Sequence, residues 1–90
     1  REESSITKNV FAVTAYPNPF ADNVSIDIRT ASAEKVNVKV YDMTGRLLEV
    51  LDTDVSEVNT LQIGDRYPSG VYNVIVSQGD EVKTLRVIKR

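Results

Sequence analysis

The stretch Val36-Asn37-Val38-Lys39-Val40-Tyr41, followed by the turn residues Asp42-Met43-Thr44-Gly45, decides the fold class of this chain. Valines alternate with polar residues along it, which is the period of a β-strand that buries one face. After the turn, the apolar residues of Leu47–Leu51 begin a second strand. Two such runs on either side of a short, glycine-containing turn predict a β-hairpin.

The period of two continues outward from this hairpin in both directions. Apolar residues alternate in 11–15 and 24–28 before it, and in 58–63, 71–76 and 85–87 after it, with 58–63 the least regular. Proline, glycine, asparagine and aspartate separate the runs, as in turns. About seven short antiparallel strands at this spacing indicate an all-β, immunoglobulin- or fibronectin-like β-sandwich.

The last strand carries one irregularity. Val82 falls out of the alternation of Leu85 and Val87, which predicts a bulge or an edge position at that point. Lys83, Lys89 and Arg90 surround the same strand, and we expect their charges to be exposed and replaceable with little effect on stability. Basic groups at a sheet edge either protect it against promiscuous pairing or serve as a recognition feature.

Length and composition bound the domain organisation. Ninety residues, 41% of them hydrophobic and 27% charged, fit one small globular domain. Residues 1–9 are polar apart from Ile6 and are predicted to form a flexible arm, so that the domain spans 10–90. The chain begins with Arg1 rather than methionine, and we expect it to be a piece of a longer protein. The net charge of −2 argues against nucleic acid as a partner.

The residue types needed for common catalytic sites are missing. The chain has no cysteine and no histidine, so no serine or threonine has the usual activating base. The acidic pairs Asp22 with Asp27 and Asp52 with Asp54 lie in or beside predicted turns. Carboxylates in turns usually cap backbone N–H groups or are solvated. Asp52, Asp54 and Glu57 could offer oxygens to calcium, but without the glycine turn and closing bidentate glutamate of a calcium loop. The sequence predicts a domain without enzymatic activity, metal or cofactor.

The six aromatic residues are assigned to the core and to the ends of the sandwich. Phe11 and Tyr72 are predicted core residues, and four more are expected to plug the open ends: Tyr16, Phe20, Tyr41 and Tyr67. Tyr72 follows Pro68 and Gly70 at the spacing of a tyrosine corner, in which the hydroxyl bonds to nearby backbone. A plain core aromatic is the alternative. Tryptophan is absent, which disfavours a carbohydrate platform.

Three stretches have turn chemistry that can be stated from the residues alone. In Tyr16-Pro17-Asn18-Pro19-Phe20 the prolines fix two φ angles and predict a stiff crossing, from which Phe20 folds over the core. In Val38 to Arg46, Gly45 supplies a positive φ and Asp42 can accept backbone N–H groups. In Pro68-Ser69-Gly70-Val71-Tyr72, Gly70 lets the chain turn into the strand of Tyr72.

Taken in this order, and followed by the basic, β-branched ending from Lys83 to Arg90, the three stretches resemble the C-terminal sorting domains of type IX secretion cargo in Bacteroidetes. The resemblance covers Val13 to Arg90. The sequence departs from the family pattern in two places. The segment before Gly70, Tyr67-Pro68-Ser69, is bulkier than the family's usual leucine-proline-serine. In the basic ending, Arg86 and Arg90 occur among the lysines.

The resemblance implies a C-terminal secretion signal, covalently fused to an unknown N-terminal cargo. Type IX shuttle proteins and the outer-membrane translocon would recognise it, after transit through the periplasm, and deliver the cargo to the cell surface or the medium of a Gram-negative bacterium. In several members a sortase-like cell-surface protease removes the domain and attaches the cargo to lipopolysaccharide; here the cut would fall in the arm before Val10. The motif positions become recognition candidates: Pro17, Asn18, Pro19, Phe20, Asp42, Gly45, Arg46, Gly70, Tyr72, Lys83, Lys89 and Arg90.

Two other functions share the predicted fold. A fibronectin-like spacer or adhesion module would have the same sandwich but need not lie at a C-terminus. A carbohydrate-binding accessory module would require an exposed aromatic strip. The position of the domain in the whole protein separates the first from a sorting signal.

Overall fold

The computed structural model describes residues 11–56 and 61–90. Seven strands form in these residues: β1 (Phe11–Tyr16), β2 (Val24–Thr30), β3 (Val36–Tyr41), β4 (Leu47–Thr53), β5 (Gln62–Ile63), β6 (Gly70–Gln78) and β7 (Glu81–Lys89). The predicted all-β fold is confirmed. The arm 1–9 and the predicted strand start at Val58 lie outside the described residues, within which no helix is long and apolar enough to cross a membrane.

The strands form two antiparallel sheets that enclose one core. The smaller sheet has the order β1-β2-β5 and the larger one β4-β3-β6-β7. Every second residue of β2, β3 and β6 is buried, as the period of two requires. Phe11 and Tyr72 belong to the buried cluster, as predicted. β4 and β7 are the edges of the larger sheet.

The register of β7 decides between the two positions predicted for Val82, a bulge or an edge, in favour of the edge. β6 and β7 pair without interruption from Gly70–Lys89 to Gln78–Glu81, so Val82 occupies no bulge. It faces outward on an edge strand, which explains both its 57% exposure and its departure from the alternation of Leu85 and Val87. The register shift of the larger sheet lies instead between Val40 and Tyr41, where β3 meets β4.

Candidate functional site

The segment Pro17–Phe20 lies along the free edge of β7. The Asn18 side-chain amide donates to the Arg86 carbonyl over 2.9 Å, and the Ile88 N–H donates to Asn18 Oδ1 over 3.0 Å. The Phe20 N–H then donates to the Ile88 carbonyl, and the Arg90 N–H to the Phe20 carbonyl, each over 2.8 Å. The segment thus forms a short parallel pairing with the end of β7.

Asn18 takes the place of a peptide group in this pairing. Pro17 and Pro19 have no N–H to donate, and both follow cis peptide bonds. The amide of Asn18 offers one donor and one acceptor in the geometry of a backbone group. Sequence reasoning predicted a stiff crossing here but missed its attachment to the last strand. The two hydrogen bonds of Asn18 in this attachment span 68 and 70 positions of the sequence.

The ring of Phe20 closes the sandwich beside Gly64. Phe20 is 1% exposed, which confirms its predicted place over the core. Gly64 has a φ of 96°, and a Cβ on it would come within 2.6 Å of Phe20 Cε2. Only glycine accommodates both the backbone conformation and the ring. Gly64 was missed by sequence reasoning; its signal was a glycine directly after the apolar residue Ile63.

Of the other three aromatic residues predicted to close the ends of the sandwich, one packs on the core and two face outward. Tyr67 packs against the core, with its ring centroid 4.8 Å from that of Tyr72. Burial raises the pKa of the Tyr67 hydroxyl, and the hydrogen bond that it donates to Glu49 raises it further. For Tyr16, 57% exposed, the prediction is wrong because its side chain follows the outward face of β1. Tyr41 likewise lies on the outward face of β3.

Lys89 is buried, contrary to expectation. Its ammonium group donates to the Gly64 carbonyl over 2.6 Å and to the Asp22 carbonyl over 3.1 Å, and lies 5.3 Å from the centre of the Phe20 ring. The side chain is directed inward because Lys89 continues the alternation of Val87. Backbone carbonyls and an aromatic face thereby replace the water around this cation. Lys83 and Arg90 are exposed, as predicted.

The β3–β4 turn is organised by one carboxylate, as predicted. Asp42 Oδ1 accepts from the Thr44 N–H at 3.0 Å, the Thr44 hydroxyl at 2.7 Å and the Arg46 N–H at 2.9 Å, and Oδ2 accepts from Arg46 Nε at 3.1 Å. The Thr44 hydroxyl and then the Arg46 N–H contribute most to lowering the pKa of Asp42 from 3.8 to about 2. Gly45 has a φ of 87°, which confirms its role.

The tyrosine corner is also confirmed. The Tyr72 hydroxyl donates to the carbonyl of Pro68, four residues earlier. Gly70 begins β6, and a Cβ on it would lie at an ordinary distance of 3.9 Å from the Tyr72 hydroxyl. A groove of about 180 Å³ separates this segment from the β3–β4 turn, lined by Asp42–Thr44 and Ser69–Tyr72.

The structure brings the three motif stretches to one end of the sandwich. Gly70 pairs with Lys89, and Tyr41 pairs with Asn73, so that the β3–β4 turn, the corner and the end of β7 are neighbours. We call this region the motif end, comprising 17–20, 42–46, 64, 68–72 and 88–90. Lys83 is the exception among the predicted site residues because it pairs with Val76, roughly 20 Å along the strand from Lys89 at ~3.3 Å per residue.

Two of the acidic residues that were considered and set aside as calcium ligands have partners within the protein. Asp52 accepts from the Asn37 amide at 2.8 Å, and Asp54 pairs with Lys35 at 3.1 Å. Glu57 lies outside the described residues. In the described ranges, no group of three or more acidic, histidine or cysteine side chains could hold a metal ion.

Comparison with known proteins gives the family. Residues 14–90 match the family described as the secretion system C-terminal sorting domain, and the chain belongs to it. The type IX sorting prediction is thereby confirmed: the chain is a sorting signal for secretion to the cell surface or extracellular space, and it is recognised by the type IX system. The sorting domain is itself non-catalytic.

Two individual proteins are similar to the chain. It is 30% identical over 74 residues to the ulvan lyase NLR42 of Nonlabens ulvanivorans, covering 82% of this chain and 13% of the lyase. In the crystal structure of dimeric latent PorU from Porphyromonas gingivalis, a region covering 89% of this chain and 9% of that one superimposes with a TM-score of 0.58 at 24% identity. The second likeness supports the fold alone. The chain spans only a small part of either protein.

Proposed function

We propose that the type IX shuttle and outer-membrane translocon proteins recognise this domain as a folded unit. The domain would thereby direct a larger cargo, fused to its N-terminus, from the periplasm to the cell exterior. The observation that supports this is the convergence of three separate motif stretches and the end of β7 at the motif end. Because these stretches are far apart in the sequence and meet only in the folded domain, through β pairing and the side chains of Asn18 and Lys89, the signal would be a property of the folded surface.

The predicted recognition residues divide by exposure into two roles. Phe20, Tyr72 and Lys89 are buried and would act by shaping the motif end. Arg46, whose side chain is 77% exposed, and the exposed residues Asn18 and Arg90 are open to direct contact. We propose that the second group, with Pro17 and Pro19, touches the secretion machinery.

Processing and cargo belong to the same proposal. A sortase-like protease would cut in the arm 1–9, ahead of β1, and release or re-anchor the cargo. The matched region is 13% of the length of the ulvan lyase, which supports a cargo several times larger than the domain.

A fusion experiment tests the proposal. The 90-residue chain is placed at the C-terminus of a reporter that carries a signal peptide, in a type IX-competent bacterium and in a strain without the translocon. We expect the reporter outside the cell only in the first strain. An intact, folded fusion that stays in the periplasm of the competent strain would contradict the proposal.

Position separates sorting from the spacer or adhesion alternative. In a second fusion, the domain is placed ahead of the reporter. A sorting signal should lose export, because it must lie at the end of the protein. Equal behaviour of the two fusions would favour the alternative.

A further inference from the structure

The outward face of the larger sheet presents rows of side chains that run across four strands. One row is Leu47–Tyr41–Asn73–Arg86, the next is Val50–Lys39–Ile75–Thr84, and a half row adds Val71–Ile88. We call these ten residues the outer face. The partners of each row lie roughly 5 Å apart, so the rows form one continuous surface.

The outer face is apolar to an unusual degree for an open side of a sheet. Leu47 is 46% exposed, Val50 48% and Ile88 40%, and Tyr41, Val71 and Ile75 are each partly exposed. A sheet face in contact with water ordinarily alternates to polar residues. A contiguous apolar area exposed on a folded domain marks an interaction surface.

This surface carries two cations, Lys39 on the inner strand β3 and Arg86 on the edge strand β7. Lys39 and Arg86 stand in the two complete rows, and within the described residues neither belongs to an ion pair. One carboxylate on the same side, that of Asp52, lies in the adjoining row and accepts from the Asn37 amide. The outer face is therefore cationic on a chain whose net charge is −2.

We propose that the outer face is a docking surface for a protein of the type IX machinery, one whose own surface is apolar and carries carboxylates. This inference rests on the proposed function and names the surface and the chemistry of the partner. Charge complementarity selects the occupant, because carboxylates facing Lys39 and Arg86 give favourable encounter and register. A second copy of the chain fits poorly, since two such faces packed together would oppose their own cations.

The test uses two variants of the outer face and one matched control in the full chain fused to the reporter. Lys39→Glu reverses a central charge, and Val50→Ser removes an exposed apolar group. Arg29→Glu makes the same charge change at an exposed position of β2, in the other sheet. Melting temperatures establish that all three remain folded. Binding to the purified type IX outer-membrane translocon is measured by calorimetry, and export is measured in cells.

We expect Lys39→Glu and Val50→Ser each to weaken translocon binding by ~10-fold or more and to lower export, with Arg29→Glu like the parent. If the parent is exported and both outer-face variants match Arg29→Glu, the docking inference is overturned while the proposed function stands. If the parent itself is not exported, both fail.

Two further measurements address other occupants. Flotation with phosphatidylcholine–phosphatidylglycerol vesicles tests a membrane, and sedimentation equilibrium tests self-association. We expect the purified domain to remain unbound to vesicles and monomeric. Vesicle binding lost in Lys39→Glu, or self-association lost in Val50→Ser, would assign the face to a lipid surface or a second copy and overturn the inference.

Discussion

Gly64 illustrates how a single residue can control the end of the sandwich. Its carbonyl accepts from the buried ammonium group of Lys89, and the ring of Phe20 fills the space where a side chain would begin. The same residue has a positive φ. Backbone conformation, packing and a charged hydrogen bond therefore meet at one position.

Gly64→Ala is expected to destabilise the domain by about 2–5 kcal/mol. The left-handed conformation costs an alanine about 1–2 kcal/mol, and displacing the Phe20 ring adds about 1–3 kcal/mol of overpacking. Gly45→Ala is the matched control, since Gly45 also has a positive φ but no atom within 4 Å of the added Cβ. Urea midpoints should fall for both and further for Gly64→Ala; equal midpoints would show that the ring moves aside freely.

Local residue roles could be predicted from the sequence, and distant ones could not. Asp42, Gly45 and Tyr72 act within four residues of themselves, so a motif contains all the information that their roles need. The furthest partner of Asn18 lies 70 positions away in the sequence, and that of Lys89 lies 67 positions away. Their roles follow from which strands pair, which alternation alone does not specify.

At the scale of elements, the β3–β4 turn couples stability to pH through Asp42. Its pKa is held at about 2 in the folded domain, below the ordinary 3.8. A lowered pKa means that the carboxylate stabilises the fold above about pH 4, and that this contribution is lost as the pH falls toward 2.

Asp42→Asn should therefore flatten the pH dependence of stability between pH 4 and pH 2. Urea midpoints at pH 5, 3.5 and 2.5 measure it for the parent, for Asp42→Asn and for Asp80→Asn, which removes an exposed carboxylate in another turn. The parent and Asp80→Asn should lose stability across this interval more steeply than Asp42→Asn. Parallel curves for all three would contradict the proposed role of the turn.

The attachment of 17–20 to β7 is a second property at this scale. The segment satisfies backbone groups of Arg86, Ile88 and Arg90 that would otherwise form an open sheet edge. An edge covered in this way is protected from pairing with other chains. The strand positions themselves were predictable from alternation, but this cover was not, because it is made by a loop.

Asn18→Ala should loosen this attachment and cost about 1–2 kcal/mol, the usual value of two hydrogen bonds. The specific measurement is hydrogen exchange at the Ile88 amide, which should accelerate more than that at Val74 in the sheet interior. Asn23→Ala is the control, since within the described residues the Asn23 side chain makes no hydrogen bond. Unchanged Ile88 exchange would mean that Asn18 does not hold the edge.

For the whole molecule, the motif end is held together by its last residues. Lys89 joins β7 to the loops of Asp22 and Gly64, and the Arg90 N–H joins it to Phe20. The expectation that the Lys89 side chain is exposed was wrong, and this removes the reason for expecting that Lys89 and Arg90 can be replaced together without affecting stability. Lysine side chains on an edge strand are usually solvated, and only the inward register of β7 shows that Lys89 is not.

The two basic residues should consequently separate folding from recognition. Lys89→Ala is expected to cost about 2–4 kcal/mol, because two hydrogen bonds from a charged donor are lost and carbonyls are left without a partner. Lys89→Met keeps the aliphatic stem and should lose nearly as much, which assigns the effect to the ammonium group. Arg90→Ala should stay within about 0.5 kcal/mol of the parent. Urea midpoints of the purified variants check all three values.

Export of the same variants then distinguishes shape from charge. If the machinery reads the folded motif end, export of Lys89→Ala should fall with its folded fraction and recover at a lower growth temperature, where more of the variant is folded. Arg90→Ala, being folded, should lose export only if the terminal charge is contacted directly. A Lys89→Ala variant as stable as the parent would show that the ammonium group does not stabilise the domain through the Gly64 and Asp22 carbonyls. The structure of the motif end would then not depend on Lys89.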